Sequence, residues 1–290
     1  MQAWWMDAVC IKGKWEVFLY EQAGEIIGAI PFHVRKKLGL KFIIQPQLTQ
    51  YSGIWIRYPD HCSFHNKQKL EKEIYFHFID RLKRYGFIFY NQNFHHSVTN
   101  WQPFYWNGFK QTTRYSFVIN DISNVDEVFL NFSDRKKRDI KKAAKAGLSV
   151  KIGGTSGEFH TFHRLCLLQR KEIISYPRHL LNAIVEASQS RGQGEIFTAV
   201  GINQQIMASL FVVWDTHSAY ALLYAFDQET KNSGASSLLF WEAIKFLSSK
   251  TLCFDFEGSM IKSVAESYEQ FSDDVISYYQ ITKRNFFNPW

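Results

Sequence analysis

Apolar and polar positions along the chain follow the same order twice. WEVFLYEQAGEIIGAIPFHVRKKLGLKFIIQPQL, from Trp15, and EIFTAVGINQQIMASLFVVWDTHSAYALLYAFD, from Glu195, each predict three strands joined by two short turns. The two blocks lie 180 residues apart, with Gly28 falling on Ala208 and Lys41 on Ala221. Each block is followed by an apolar helix and a strand: FHFIDRLKRYGFIFYNQN after the first, FWEAIKFLSSKTLCFDFEGS after the second. A meander, a helix and a strand in the same order twice predict two copies of one mixed α/β unit, on pattern rather than on identity. Ligands are then expected in a cleft between the copies, where two-substrate sites commonly form.

The remaining elements follow from period and caps. A helix is expected over Ala3 to Cys10, and Lys67 to Tyr85 places Leu70, Ile74, Phe78 and Leu82 on one helical face, ended by Gly86. GFIFYNQN and RYSFVIN complete the first domain, 1–120. Residues 121–147 read as a helical linker, with Ser133 as N-cap, Gly147 after the last turn, and a narrow apolar stripe of Ile140, Ala143 and Ala144. The second domain, 148–290, opens with strand LSVKIG, a helix from Ser156 to Ile174, a break at Tyr176-Pro177 and a helix from Arg178 to Ser190. After the second meander come the turn DQETKNSGASS, helix SSLLFWEAIKFLSS, strand LCFDFEG, a short helix VAESYEQF and strand ISYYQITK.

Composition changes this picture little. The 290 residues suit two domains, and 46% hydrophobic with 17% aromatic residues excludes a disordered chain. Cys10, Cys62, Cys166 and Cys253 are scattered without a paired motif, so reduced thiols and a cytoplasmic location are expected. No run of about 18 apolar residues predicts a membrane span, although the basic charge and abundant Trp and Tyr leave peripheral contact with a membrane surface open. The charge matters more. Net +7 is concentrated between Arg135 and Lys145, where seven cations accompany one anion, so an anionic partner is expected there.

Two helices, an antiparallel meander, a glycine turn into a helix, then strand, helix and strand resemble the acetyltransferase fold of the GNAT superfamily. The tandem arrangement around Arg138 to Gly147, the segment SGASSLLFWEAI and the strand end FDFEGSM resemble FemAB-type transferases and their BioF2-like relatives. The resemblance implies tandem GNAT-like domains of α/β (α+β) class, each a mixed, largely antiparallel sheet flanked by helices. It implies transfer of an acyl or aminoacyl group to an amine, with acyl-CoA or aminoacyl-tRNA as co-substrate, no tightly bound cofactor, and an acceptor on a cell-wall (peptidoglycan) or nucleotide-linked precursor. Where coenzyme A-binding GNAT enzymes carry Arg/Gln-x-x-Gly-x-Gly/Ala, this chain has Thr230 to Ala235 with only the final Gly-Ala in register. It also lacks the long helical arm that some FemAB proteins carry.

Acyl transfer needs a deprotonated amine, a carbonyl held nearby and donors for the oxyanion, which a splayed strand supplies from its backbone. Asp255 and Glu257, two apart on strand LCFDFEG, are expected on one face as the orienting or deprotonating carboxylates. Tyr268 stands where GNAT enzymes often carry a general acid. Ser233, Gly234, Ala235 and Ser236, at a helix amino terminus, are the candidate cofactor-binding residues. Arg135, Arg138 and Lys142 of the linker, with Arg35, Lys36 and Lys37 in the turn after a first-domain strand, are candidates for substrate phosphate. His160, His163 and Cys166 have zinc-like spacing but no convincing fourth ligand, so no metal is expected, and His95-His96 falls in a loop-like stretch.

The reading is therefore an N-acyltransferase or aminoacyltransferase for an anionic small-molecule or nucleotide-linked substrate, with tRNA a further candidate partner. Two alternatives stand beside it: a nucleic-acid-binding module using helix 135–145, and a non-catalytic partner of another transferase.

Overall fold

The alternation read from the sequence becomes paired strands in two compact units, each with its own core. The computed structural model describes residues 2–258 and 260–285. Residues up to Arg114, together with those from Ser277, form one unit, and Tyr115–Ile276 form the other. The segment read as a linker, 121–147, thus lies inside the second unit, and the last strand returns to the first. This exchange was not legible because strand periodicity does not report which strands a strand pairs with.

In the first unit, α1 (Ala3–Val9) precedes the meander β1 (Lys14–Gln22), β2 (Glu25–Lys37) and β3 (Leu40–Ile44). Short β4 (Trp55–Ile56), α2 (Phe64–Tyr85), β5 (Phe89–Phe94), α3 (Gln102–Trp106) and β6 (Lys110–Ile119) follow, the last leaving the unit at Arg114. β1–β2 and β2–β3 pair antiparallel, whereas β3 and β5 pair parallel through Phe42–Phe89 and Ile43–Tyr90. Arg35, Lys36 and Lys37, expected in a turn, belong to β2 itself and pair with Phe42, Lys41 and Leu40. The turn is instead Leu38-Gly39, both at positive φ (51° and 77°), the primed hairpin whose twist suits antiparallel strands.

In the second unit, α4 (Val125–Asn131) and α5 (Asp134–Lys145) precede β7 (Ser149–Ile152), α6 (Ser156–Gln169) and α7 (Arg178–Gln189). The second meander is β8 (Gly194–Val200), β9 (Ile206–Trp214) and β10 (Ser218–Phe226), followed by α8 (Ala235–Leu247), β11 (Cys253–Asp255), α9 (Lys262–Tyr268) and β12 (Asp274–Arg284). The strand order is β6-β11-β10-β9-β8-β7, antiparallel except for β10 and β11. Each unit therefore holds an antiparallel meander whose third strand pairs parallel with the strand after a crossover helix. That is the duplication expected from the sequence.

Each core forms on the helix-covered face. Ile74, Phe78 and Leu82 of α2 are fully buried against Ile30, Phe32, Ile43, Tyr90 and Phe94. In the second unit, Leu239, Ala243, Ile244 and Leu247 of α8 pack with Phe197, Leu210, Phe254 and Phe256. Each large apolar side chain buried this way contributes about 1.5–3 kcal/mol. α6 stops at Gln169 rather than reaching Ile174, because Lys171 turns left-handed (φ 58°) and the Gln169 amide is held by Asp227 Oδ1 and the Gln228 N–H.

α5 forms as its caps predict. Ser133 Oγ accepts the Lys136 N–H, and Gly147 follows the last turn at φ 73°. Its buried stripe is Lys136, Ile140 and Ala143, whereas Ala144 is exposed. The helix lies so close to the turn before α8 that a Cβ on Gly234 (φ 86°) would stand 2.2 Å from the Asp139 carbonyl oxygen. Gly234→Ala is expected to destabilise the protein by about 3 kcal/mol, from left-handed strain plus overpacking. Gly24→Ala, at φ 82° with nothing within 4 Å of its Cβ, meets the strain alone, about 1 kcal/mol. Denaturant titration of the two variants separates the contributions.

Candidate active site

The parallel pairing of β10 with β11 lasts three residues, Ser218–Cys253, Ala219–Phe254 and Tyr220–Asp255. β11 then ends while β10 runs on to Phe226, with an irregularity in its β9 register between Tyr220 and Leu223. Among the described residues, no strand takes the place of β11 beside Ala221–Phe226. Backbone N–H and C=O groups on such an edge must find other partners, in water or in a ligand.

The chain leaving β11 is held in an unusual shape. Asp255, buried, accepts hydrogen bonds on Oδ1 from the Ser116 hydroxyl and from the Glu257 N–H, the latter at 2.7 Å. Phe256 still pairs its N–H with Phe117 O of β6. Glu257 then adopts φ 56° and Gly258 φ 43°, where a Cβ on Gly258 would lie 2.0 Å from Tyr115 O. Asp255 and Glu257 are thus not successive positions on one strand face, as the sequence suggested. The first carboxylate holds the turn that carries the second.

Glu257 is half-buried, and burial followed by the Asp255 charge holds its carboxyl well above the usual range. Tyr268 is buried with its ring 5.1 Å from that of Phe256, and burial then Glu257 push its hydroxyl up. On β10, Tyr224 donates to Ser236 Oγ at 2.5 Å and packs on Phe240, whose ring also contacts Tyr268. Burial, and secondarily Tyr268, raise the Tyr224 hydroxyl. Glu257, Tyr268, Tyr224 and Ser236 therefore form one electrostatically connected group beside the open edge of β10. A carboxyl poised above its ordinary range can take a proton, and a phenol can return one.

Four cofactor-binding candidates surround the start of α8. Ser233 Oγ accepts the Ala235 N–H at 3.2 Å, and Ser236 accepts from Tyr224. The space beside Gly234 is filled by α5 rather than left open. Lys142 closes over the turn by donating to Asn232 O at 2.8 Å, and Arg135 and Arg138 are exposed on the same helix. Arg35 (half-buried), Lys36 and Lys37 lie in the first unit.

Residues 131–262 match the family model of the acetyltransferase (GNAT) domain. They are a GNAT acetyltransferase domain, and the chain is an acyltransferase. Solved structures agree in fold over nearly its whole length. FemX is 13% identical with a TM-score of 0.69, covering 96% of this chain and 90% of that one. The C-terminal domain of a putative lysylphosphatidylglycerol synthetase from Agrobacterium fabrum is 10% identical at TM-score 0.58, with 97% and 90% covered. A tandem GNAT protein from the clavulanic acid biosynthesis pathway is 8% identical at 0.53, covering 97% and 94%. Among curated proteins, no sequence matches significantly.

Inside the GNAT domain, the His163 ring is engaged with the Tyr176 hydroxyl at 2.7 Å, and burial depresses its pKa to about 4. Sequence reasoning missed Ser116, Tyr224 and Lys136. Nothing marked Ser116 or Tyr224 among other strand residues. Lys136, however, stands four before Ile140 and seven before Ala143, the helical spacing of a buried face. Its ammonium donates to Ser267 Oγ at 3.1 Å and lies 4.4 Å from the Phe271 ring centre, and burial lowers its pKa to about 8. Because this pKa is depressed below the ordinary 10.5, the unfolded chain binds the extra proton between about pH 8 and 10.5, and stability rises with pH there. Chemical denaturation across this window is expected to show a rise on the order of 3 kcal/mol in the wild type that Lys136→Met lacks.

Proposed function

We propose that the chain transfers an acyl or aminoacyl group from a phosphate-bearing carrier to a primary amine on an anionic, nucleotide-linked or cell-wall precursor. The reading rests on one observation: the edge of β10 opens beside the raised carboxyl of Glu257. An extended, amide-containing donor arm can pair with such an edge, as an added strand would. That pairing holds the acyl carbonyl against fixed N–H groups as its oxygen gains charge. The amine nitrogen attacks the carbonyl carbon and Glu257 takes the amine proton; the tetrahedral oxyanion then re-forms the carbonyl as the bond to the carrier's sulfur or oxygen breaks, the leaving thiolate or alkoxide takes a proton from Tyr268, and the proton on Glu257 passes to Tyr268 to restore both groups. No covalent enzyme intermediate is needed.

Asp255 orients Glu257 and keeps its pKa high. Lys142, which closes over the turn before α8, and the exposed Arg135 and Arg138 of the same helix offer charge to the carrier's phosphates. Acetyl-CoA is the first donor to test, because the matched family is an acetyltransferase domain; aminoacyl-tRNA is the second. Among the described residues, no helix is long and apolar enough to cross a membrane, and the four cysteines are free thiols, in keeping with a cytoplasmic site of action.

Calorimetric titration with acetyl-CoA and with a charged tRNA identifies the carrier. With that donor, Glu257→Gln is expected to lower kcat by about 10²–10⁴-fold while donor affinity is kept. Retained turnover contradicts the reading. A nucleic-acid-binding module would instead bind tRNA with steep salt dependence and be indifferent to Glu257. Glu257 acts deprotonated, so activity rises with pH through its pKa. Asp255→Asn removes an anionic neighbour, lowers that pKa, and is expected to move the acidic limb of the pH–rate profile to lower pH.

A further inference from the structure

The first unit repeats the meander and parallel crossover, and its strand gap can be compared with that of the second. β3 and β5 stop pairing after Ile43–Tyr90, as β10 and β11 stop after Tyr220–Asp255. β3 ends at Ile44, whereas β5 continues to Phe94. The strand that runs on is thus β5, the counterpart of β11, rather than β3, the counterpart of β10, and its edge is not left open. The Ser52 N–H donates to Asn93 O at 2.7 Å and Ser52 O accepts the His95 N–H at 3.0 Å, making a parallel bridge where β3 would have continued.

Gln45 fixes this segment. Its Oε1 accepts the Asn93 N–H at 3.0 Å and the Ser52 hydroxyl at 2.9 Å, and its Nε2 donates to Thr49 O at 2.8 Å. The Asn93 amide adds a bond to Gln50 O at 3.0 Å. Gly53 (φ 102°) lies so close to β5 that a Cβ would meet the Phe94 ring at 2.7 Å, and Thr49, Tyr51, Ser52 and Ile54 are all buried.

A second observation is independent of the loop. Counting two residues past the last parallel pair leads to Glu257 from Asp255 and to Gln92 from Tyr90. Gln92 is an amide that cannot titrate and is fully engaged. Its Oε1 accepts the Tyr90 hydroxyl and its Nε2 donates to Pro31 O, both at 2.6 Å.

We infer that the first unit is a transferase fold whose donor gap is occupied by its own chain, residues Gln45–Gly53, so that each protein carries one donor site, in the second unit. The second clause rests on the proposed function; the filling of the gap does not. The segment stands in for the continuation of the third strand and pairs with β5, the counterpart of β11, so ordering it during folding closes the gap between those two strands and leaves no edge for a carrier's amides.

Hydrogen exchange followed by NMR, together with acetyl-CoA calorimetry on the full chain, tests this. The Ser52 and His95 amides are expected to exchange at least about 100-fold slower than in an unstructured peptide, with no further slowing on addition of acetyl-CoA. Gln45→Ala is expected to speed Ser52 exchange about 10-fold without changing turnover. Acetyl-CoA is expected to bind with one equivalent per chain. Two equivalents, fast exchange at Ser52 and His95, or slowing of those amides by acetyl-CoA would overturn the inference. Absence of any acetyl-CoA binding would count against that donor in the proposed function, and exchange at Ser52 and His95 would still decide whether the gap is filled.

Discussion

The hydrogen bonds accepted by one buried carboxylate, Asp255, hold the shape on which the second unit's chemistry depends. Its partners are the Ser116 hydroxyl on β6 and the backbone of Glu257 two residues on. A buried anion without donors is costly, so the charge itself enforces the turn. The turn ends β11 after three paired residues, leaves β10 to continue without it, and places a second carboxyl where burial and a like charge raise its pKa. Strand splay and carboxyl tuning are therefore two consequences of one local arrangement.

Around it, packing leaves little freedom. α5 meets α8 at the one residue before the helix with no side chain, and Lys136 joins α5 to α9 across Ser267 and Phe271. α9 carries Tyr268 against Phe256, the residue between the two carboxylates. The basic helix is thus part of the scaffold on one face and a row of exposed cations on the other, which reconciles its high charge with a well-packed helix.

Much of this was legible in the sequence for a physical reason. Period-two and period-3.6 patterns report burial, so both meanders, the α2 stripe and the α5 caps were found where Ile74, Phe78, Leu82, Ser133 and Gly147 indicated. Asp255, Glu257, Tyr268 and Ser236, singled out in the sequence as candidates, lie together in the second unit. What was not legible depends on tertiary partners. No local pattern marks the left-handed turn at Glu257, the hydroxyl of Ser116 that meets Asp255, or the return of β12 to the first unit. Nor does periodicity show that the segment after β3 folds back on β5, since its residues, Gln45, Gln50 and Ser52, read as an ordinary polar loop.

The two halves show how one fold can keep its architecture while its edges diverge. Where the connection after the third strand is short, the edge of β10 stays open; where it is long, it folds back to pair with β5. The central claim is that Glu257 is a base tuned by burial and by Asp255. Its most direct test is an NMR titration of the Glu257 side-chain carboxyl carbon. The account predicts a midpoint well above the ordinary glutamate value of about 4.3. A midpoint at or below that value would contradict it.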